Sequence, residues 1–117
     1  MNGRVLAYVS DLLFSSRIEA TLRAEGYEVA VVEDLAALDA VLASSPPQLV
    51  ILDLHAGATP DEVISRCREA GAPVLAFGRH TEPALLRAAR DAGAAEAVAR
   101  STFVEEMAGL VQRNLRA

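Results

Sequence analysis

The chain has a single cysteine, Cys67, among its 117 residues. That excludes an internal disulfide and fits a reducing compartment. Basic residues are outnumbered, 11 against 16 acidic ones, and the net charge is −5. Sequence-independent nucleic-acid binding and docking on anionic membranes both need a cationic surface, so neither partner is expected. Long apolar runs are also missing. Val5 to Val9 is too brief for a signal-peptide core, and no other run reaches the length of a membrane span. A cytoplasmic location is the expectation. The stretch YVSDLL that follows contains no glycine, so there is neither a Walker loop nor a dinucleotide-binding fingerprint. What is present is 52% hydrophobic and 23% charged residues, the balance of a globular protein. One domain, residues 1–117, is predicted, with enough chain to bury a core.

Apolar runs and helical periodicities alternate along the chain. VLAYV (Val5 to Val9) reads as a strand buried on both faces. Phe14, Ile18 and Leu22, with Leu13 and Thr21 alongside, mark a helix stopped by Gly26. Glu28 to Val32 is a second strand, and Asp34 caps a helix bearing Leu35, Leu38, Val41 and Leu42 until Pro46-Pro47 ends it. Leu49 to Leu54 is the third strand. Thr59-Pro60-Asp61-Glu62 is a helix start with a threonine cap, proline at the first position and a capping-box glutamate. Gly71 ends that helix, and Pro73 to Phe77 is the fourth strand. Thr81-Glu82-Pro83 opens a fourth helix that Gly93 ends; Glu96 to Ala99 is a short fifth strand. The last helix is predicted to begin at Thr102, boxed with Glu105, with Val104, Met107, Ala108, Val111 and Leu115 as its apolar face. Strict alternation implies an α/β fold of three αβα layers: a doubly wound, five-stranded parallel sheet with right-handed crossovers.

The C-terminal strand ends of such a sheet open on one rim, where open α/β sheets bind ligands. The rim would gather Ser10 and Asp11, Asp53 and His55, Gly78 to His80, and Arg100 with Ser101. Asp53, which ends LVILD, reads either as an acceptor carboxylate open to covalent modification or as a strand-end aspartate bonding loop amides. His55 and His80 lie in separate loops and read as exposed loop residues rather than transition-metal ligands. Cys67 falls among Val63, Ile64 and Ala70 and reads as a buried small hydrophobe. Either Ser10 or Asp11 reads as the cap of the first helix. Arg79 and Arg100, beside the amides of the fourth helix, offer an alternative role in sensing a small anion or nucleotide.

VLAYV, EGYEV, LVILDL, APVLAF and the GA of DAGAAEA, in this order and spacing, resemble the receiver domain of bacterial response regulators. The resemblance runs from about Val5 to Leu115 and implies the flavodoxin-like, CheY-like (βα)5 fold. It places Asp53 on the family's phosphorylated aspartate. Val9 and Ser10 then stand where the family has two acids that hold Mg²⁺; Asp11 is one position further on. Gly78 stands for the hydroxyl residue, Arg100 for the lysine, Ser101 for the proline that follows it and Ala97 for the mobile aromatic. Gly78 and Arg100 are therefore the phosphate-facing candidates, and Asp11 with Asp53 the candidate metal ligands of a weak or absent Mg²⁺ site. No other cofactor is expected. The resemblance implies a non-enzymic, atypical receiver in two-component signalling, with phosphorylation of Asp53 dispensable or absent. A working phosphoacceptor is the alternative. Implied partners are other signalling proteins, such as a histidine kinase or an output domain, or a second copy. The contact face would lie on the fourth helix, fifth strand and fifth helix, at Arg87, Arg90, Asp91, Glu96, Glu105 and Arg113.

Overall fold

The computed structural model describes residues 3–57 and 59–116. Its strands are β1 (Gly3–Tyr8), β2 (Tyr27–Val32), β3 (Leu49–Asp53), β4 (Val74–Gly78) and β5 (Glu96–Ala99). All neighbours pair in parallel, in the order β2-β1-β3-β4-β5. The chain moves outward from β1 to β2, then returns past β1 to lay down β3 and continue the other way. The reversal separates the loops after β1 and β3 and opens a crevice between them. Asp11 and Asp53 stand on its two sides.

The helices are α1 (Leu12–Ala24), α2 (Leu35–Ser44), α3 (Pro60–Glu69), α4 (Pro83–Ala92) and α5 (Arg100–Asn114). Alternate strand residues face opposite layers, as a pleated strand requires. Val5, Ala7, Leu49, Ile51, Leu75 and Phe77 pack with Phe14, Ile18 and Leu22 of α1 and with Phe103, Met107, Leu110 and Val111 of α5. Leu6, Tyr8, Val50, Leu52, Val74 and Ala76 pack with Leu38 and Leu42 of α2, Val63, Ile64 and Cys67 of α3, and Leu86 and Ala89 of α4. Cys67 is fully buried, and burial pushes its thiol up to about 12, so it serves as core filling. No helix among the described residues is long and apolar enough to cross a membrane.

Local signals hold at some helix ends and fail at others. Asp34 Oδ1 accepts from Ala37 N–H at 2.8 Å, as a cap should. Gly93 ends α4 with φ +117°, where a Cβ would also meet the Arg68 side chain at 2.6 Å. The capping box at Thr59 does not form: its side chain makes no cap bond, and Glu62 N–H donates to the Thr59 carbonyl instead. Helix α5 starts at Arg100, two residues before the expected Thr102, because Ala99 already has the extended conformation of a cap. Its helical dihedrals break at Glu106 (φ −118°, ψ 22°), and Phe103 and Leu110 join the buried face. Leu13, expected beside the apolar face of α1, is 85% exposed, and Leu12 is 75% exposed. Phe14 and Ile18 set the buried direction, and Leu13 sits about 100° away from Phe14 around the helix.

Candidate functional site

Strand parity aims Asp53 toward the α1/α5 layer, beside its β4 register partner Phe77. Asp53 is only 6% exposed. Its Oδ1 accepts from the His55 N–H at 2.9 Å, and its carbonyl accepts from Ala56 N–H at 3.1 Å. The carboxylate thus organises its own loop, as a strand-end aspartate does. It also forms one wall of a cleft of about 240 Å³ lined by Ser10, Asp11, His55, Phe77, Gly78, Arg79 and Arg100. Of the rim residues expected from strand order, Ser10, Asp11, Asp53, His55, Gly78, Arg79 and Arg100 line the cleft and Ser101 does not, while Phe77 was not among them. His80 is exposed and does not line the cleft.

His55 departs from the exposed loop residue expected. It is half-buried, and its Nε2 accepts from the Arg79 N–H at 3.2 Å. That nitrogen also lies 3.7 Å from Glu82 Oε2, which in turn lies 3.5 Å from Arg79 Nη1. The imidazole therefore ties the loop after β3 to the loop after β4. It also helps to fill the ground above Gly78. A Cβ at that position would meet Leu54 Cδ1 at 3.2 Å and His55 Nε2 at 3.5 Å. A hydroxyl residue there would have to displace its neighbours.

On the opposite wall, Asp11 caps α1, its Oδ1 accepting from Phe14 N–H at 3.1 Å. Its Oδ2 lies 3.8 Å from Arg100 Nη2. The Arg100 guanidinium lies over the Phe14 ring, 3.9 Å from the centroid, a cation–π contact. Phe14 stands edge-on to Phe77 and Phe103, and those two rings stack with centroids 4.8 Å apart. All three phenylalanines of the chain thus form one cluster beneath the cleft. Their contacts were not read from the sequence, although Phe14 and Phe103 each lie at an inward helical position and Phe77 on an inward strand position. All 11 basic residues are arginines, so no lysine elsewhere can take the place of Arg100.

The residues present fit a divalent ion poorly. Val9, which the resemblance sets where an acid would hold the ion, is buried and has no side-chain oxygen. Among the described residues no three His, Cys, Asp or Glu side chains gather where they could hold a metal. Mg²⁺ asks for near-octahedral oxygen ligation. Of the two candidate ligands, Asp11 and Asp53, each has one oxygen already accepting from a backbone N–H.

No protein-family profile and no curated protein matches the chain by sequence. Solved structures do match by shape. NtrX from Brucella abortus superposes with a TM-score of 0.83 at 20% identity over 98% of this chain. The chain spans only 27% of that protein. The receiver domain of the Francisella response regulator 1452 gives a TM-score of 0.77 at 13% identity, covering 96% of this chain and 98% of that one. A response regulator from Burkholderia pseudomallei, solved with a phosphorylated aspartic acid, a calcium ion and citrate, gives 0.82 at 19% identity, covering 95% of this chain and 67% of that one.

The fold is that of a response-regulator receiver domain. Ala97 is buried in β5, and its carbonyl accepts from Arg90 Nη2 at 2.7 Å. Of the expected contact face, Arg87, Arg90, Asp91, Glu105 and Arg113 are exposed and Glu96 is partly buried. Glu96 and Arg113 are engaged with each other through two hydrogen bonds, at 2.9 and 2.6 Å. Arg113 and Asn114 hold the Glu96 carboxyl below the usual range, with the Arg113 hydrogen bonds as the main cause.

Proposed function

We propose that the chain is an atypical receiver, a cytoplasmic signalling module that works by contact with other proteins. Phosphorylation of Asp53 is dispensable or absent, and the module has no catalytic turnover of its own. The observation that most supports this is the state of the rim acids. Asp53 holds its own loop through His55 N–H, while Asp11 is shared between the α1 cap and Arg100. Phosphoryl transfer depends on positioning and on neutralising charge at the transferred oxygens. Here Gly78 brings no hydroxyl, and the metal-ligand set is thin. Ala97 has no ring to report a change at Asp53 to the β5 face.

The partners are other signalling proteins, a histidine kinase or an output domain among them, or a second copy of the chain. The exposed charges Arg87, Asp91 and Glu105 suit a contact that selects its partner more than one that binds tightly. A second reading, a working phosphoacceptor, draws on the one cleft that holds Asp53, Asp11 and Arg100 together. Intact mass after incubation with Mg²⁺ and acetyl phosphate separates the two. The wild-type mass is expected to stay unchanged. A gain of one phosphoryl group that disappears in Asp53→Asn would overturn the proposal in favour of the second reading.

A further inference from the structure

We infer that Arg100 is the resident cation of the cleft, and that its guanidinium excludes a divalent metal by competing directly for Asp11. The inference rests on the atypical-receiver reading and names the residue that keeps the site from accepting metal. Three features of its setting support it. First, Arg100 Nη2 lies 3.8 Å from Asp11 Oδ2, the oxygen left over once Oδ1 has capped α1. An ion bound to Oδ2 at the usual Mg–O distance of roughly 2.1 Å would sit within roughly 6 Å of that nitrogen. The two cations would then share one carboxylate oxygen at close range in a half-shielded cleft.

Second, the guanidinium is held in place. It lies 3.9 Å over Phe14, and Phe14 is braced edge-on by Phe77 at 5.2 Å and Phe103 at 6.2 Å. Moving the arginine aside forfeits both the cation–π contact and the pairing with Asp11.

Third, the position opposes the backbone. Arg100 is the first residue of α5, and a cation there meets the positive end of the helix dipole. Local helix preference therefore does not account for it, whereas Asp11 and the Phe14 face do. The same helix end adds positive potential to the cleft and further disfavours a metal ion. Asp53, on the other wall, keeps its Oδ1 on the His55 N–H, and His55 and Arg79 face the cleft from the β3 and β4 loops. The wall away from Arg100 thus supplies one carboxylate alone.

The test is a Mn²⁺ titration of the full chain, followed by paramagnetic broadening of amide resonances. Wild type is expected to show no saturable broadening at millimolar metal. Arg100→Ala and Arg100→Gln should both bind at least roughly tenfold more tightly, within the range of ordinary coupling between two sites. The broadening should centre on Asp11 and Asp53 and vanish when Asp11→Asn is added. Arg100 is exposed, and the amide spectrum itself reports whether each variant is folded. Two folded variants that bind no better than wild type would overturn the inference and leave the atypical-receiver reading standing. Tight binding by wild type, centred on Asp11 and Asp53, would overturn both.

Discussion

The rim cleft and the β5 edge use the same chemistry, arginine against carboxylate, in opposite ways. At the edge, Arg113 grips Glu96 with two bonds, at 2.9 and 2.6 Å, and Asn114 donates to the same carboxylate at 2.8 Å. Arg90 closes over the Ala97 carbonyl at 2.7 Å. At the rim, the pairs Arg100–Asp11, His55–Glu82 and Arg79–Glu82 stand at 3.8, 3.7 and 3.5 Å. A bidentate arginine fork fixes geometry, whereas long pairs between half-exposed groups do not. The edge is therefore a finished structural element that covers a β-strand otherwise open to pairing. At the rim the charge pairs are longer, and of these groups Arg100 alone is seated on the apolar floor, over Phe14. On the reading proposed above, the edge is held by Arg113 and Arg90, and Gly78 brings no hydroxyl to the rim.

The largest expected effect tests the floor. Phe103→Ala removes a fully buried ring stacked on Phe77 and edge-on to Phe14. It should destabilise the chain by about 3–5 kcal/mol in urea unfolding. It should also loosen Arg100, which rests on the same cluster. A loss under about 1 kcal/mol would mean that the cluster is not the rigid base of the cleft.

A smaller effect compares the two regions directly. Because Arg113 holds the Glu96 carboxyl below its usual range, the ionised form is favoured on folding. This contribution is complete above the unfolded glutamate pKa of about 4.3 and is lost as pH falls through the lower folded value. Glu96→Gln should therefore be less stable than wild type at neutral pH, and the gap should close on acidification below about pH 4. Glu82→Gln at the rim should change stability at neutral pH by less than Glu96→Gln does. Equal effects would remove the contrast between a fixed edge and a loose rim.

Much of the fold was legible because its signals are redundant along the chain. Glu96–Ala99 falls where EAVA predicted a strand, and Gly26, Gly71 and Gly93 each stand at or just past a helix end with positive φ. Signals that depend on one local bond were less dependable. Thr59 and Thr102 carry the capping-box pattern, yet Thr59 makes no side-chain cap bond and Thr102 lies inside α5. Leu13 shows the limit of counting apolar residues, since a helix buries a direction rather than a composition.

At the site, the list of rim residues was legible and their pairing was not. Strand ends converge by topology, so Asp11, Asp53, Gly78 and Arg100 could be gathered from order alone. That His55 accepts from the Arg79 backbone, or that Arg100 lies over Phe14, depends on rotamers and loop paths that no spacing encodes.

The most direct test of the central claim is a titration with Mg²⁺ and beryllium fluoride, which stands in for a phosphoryl group on aspartate. Amide chemical shifts of the wild type and of Asp53→Asn would be followed together. An atypical receiver predicts no saturable shifts around Asp53, Asp11 and Arg100, and none at the α4–β5–α5 face. Saturable shifts at those residues, lost in Asp53→Asn, would contradict it and make the chain a working phosphoacceptor.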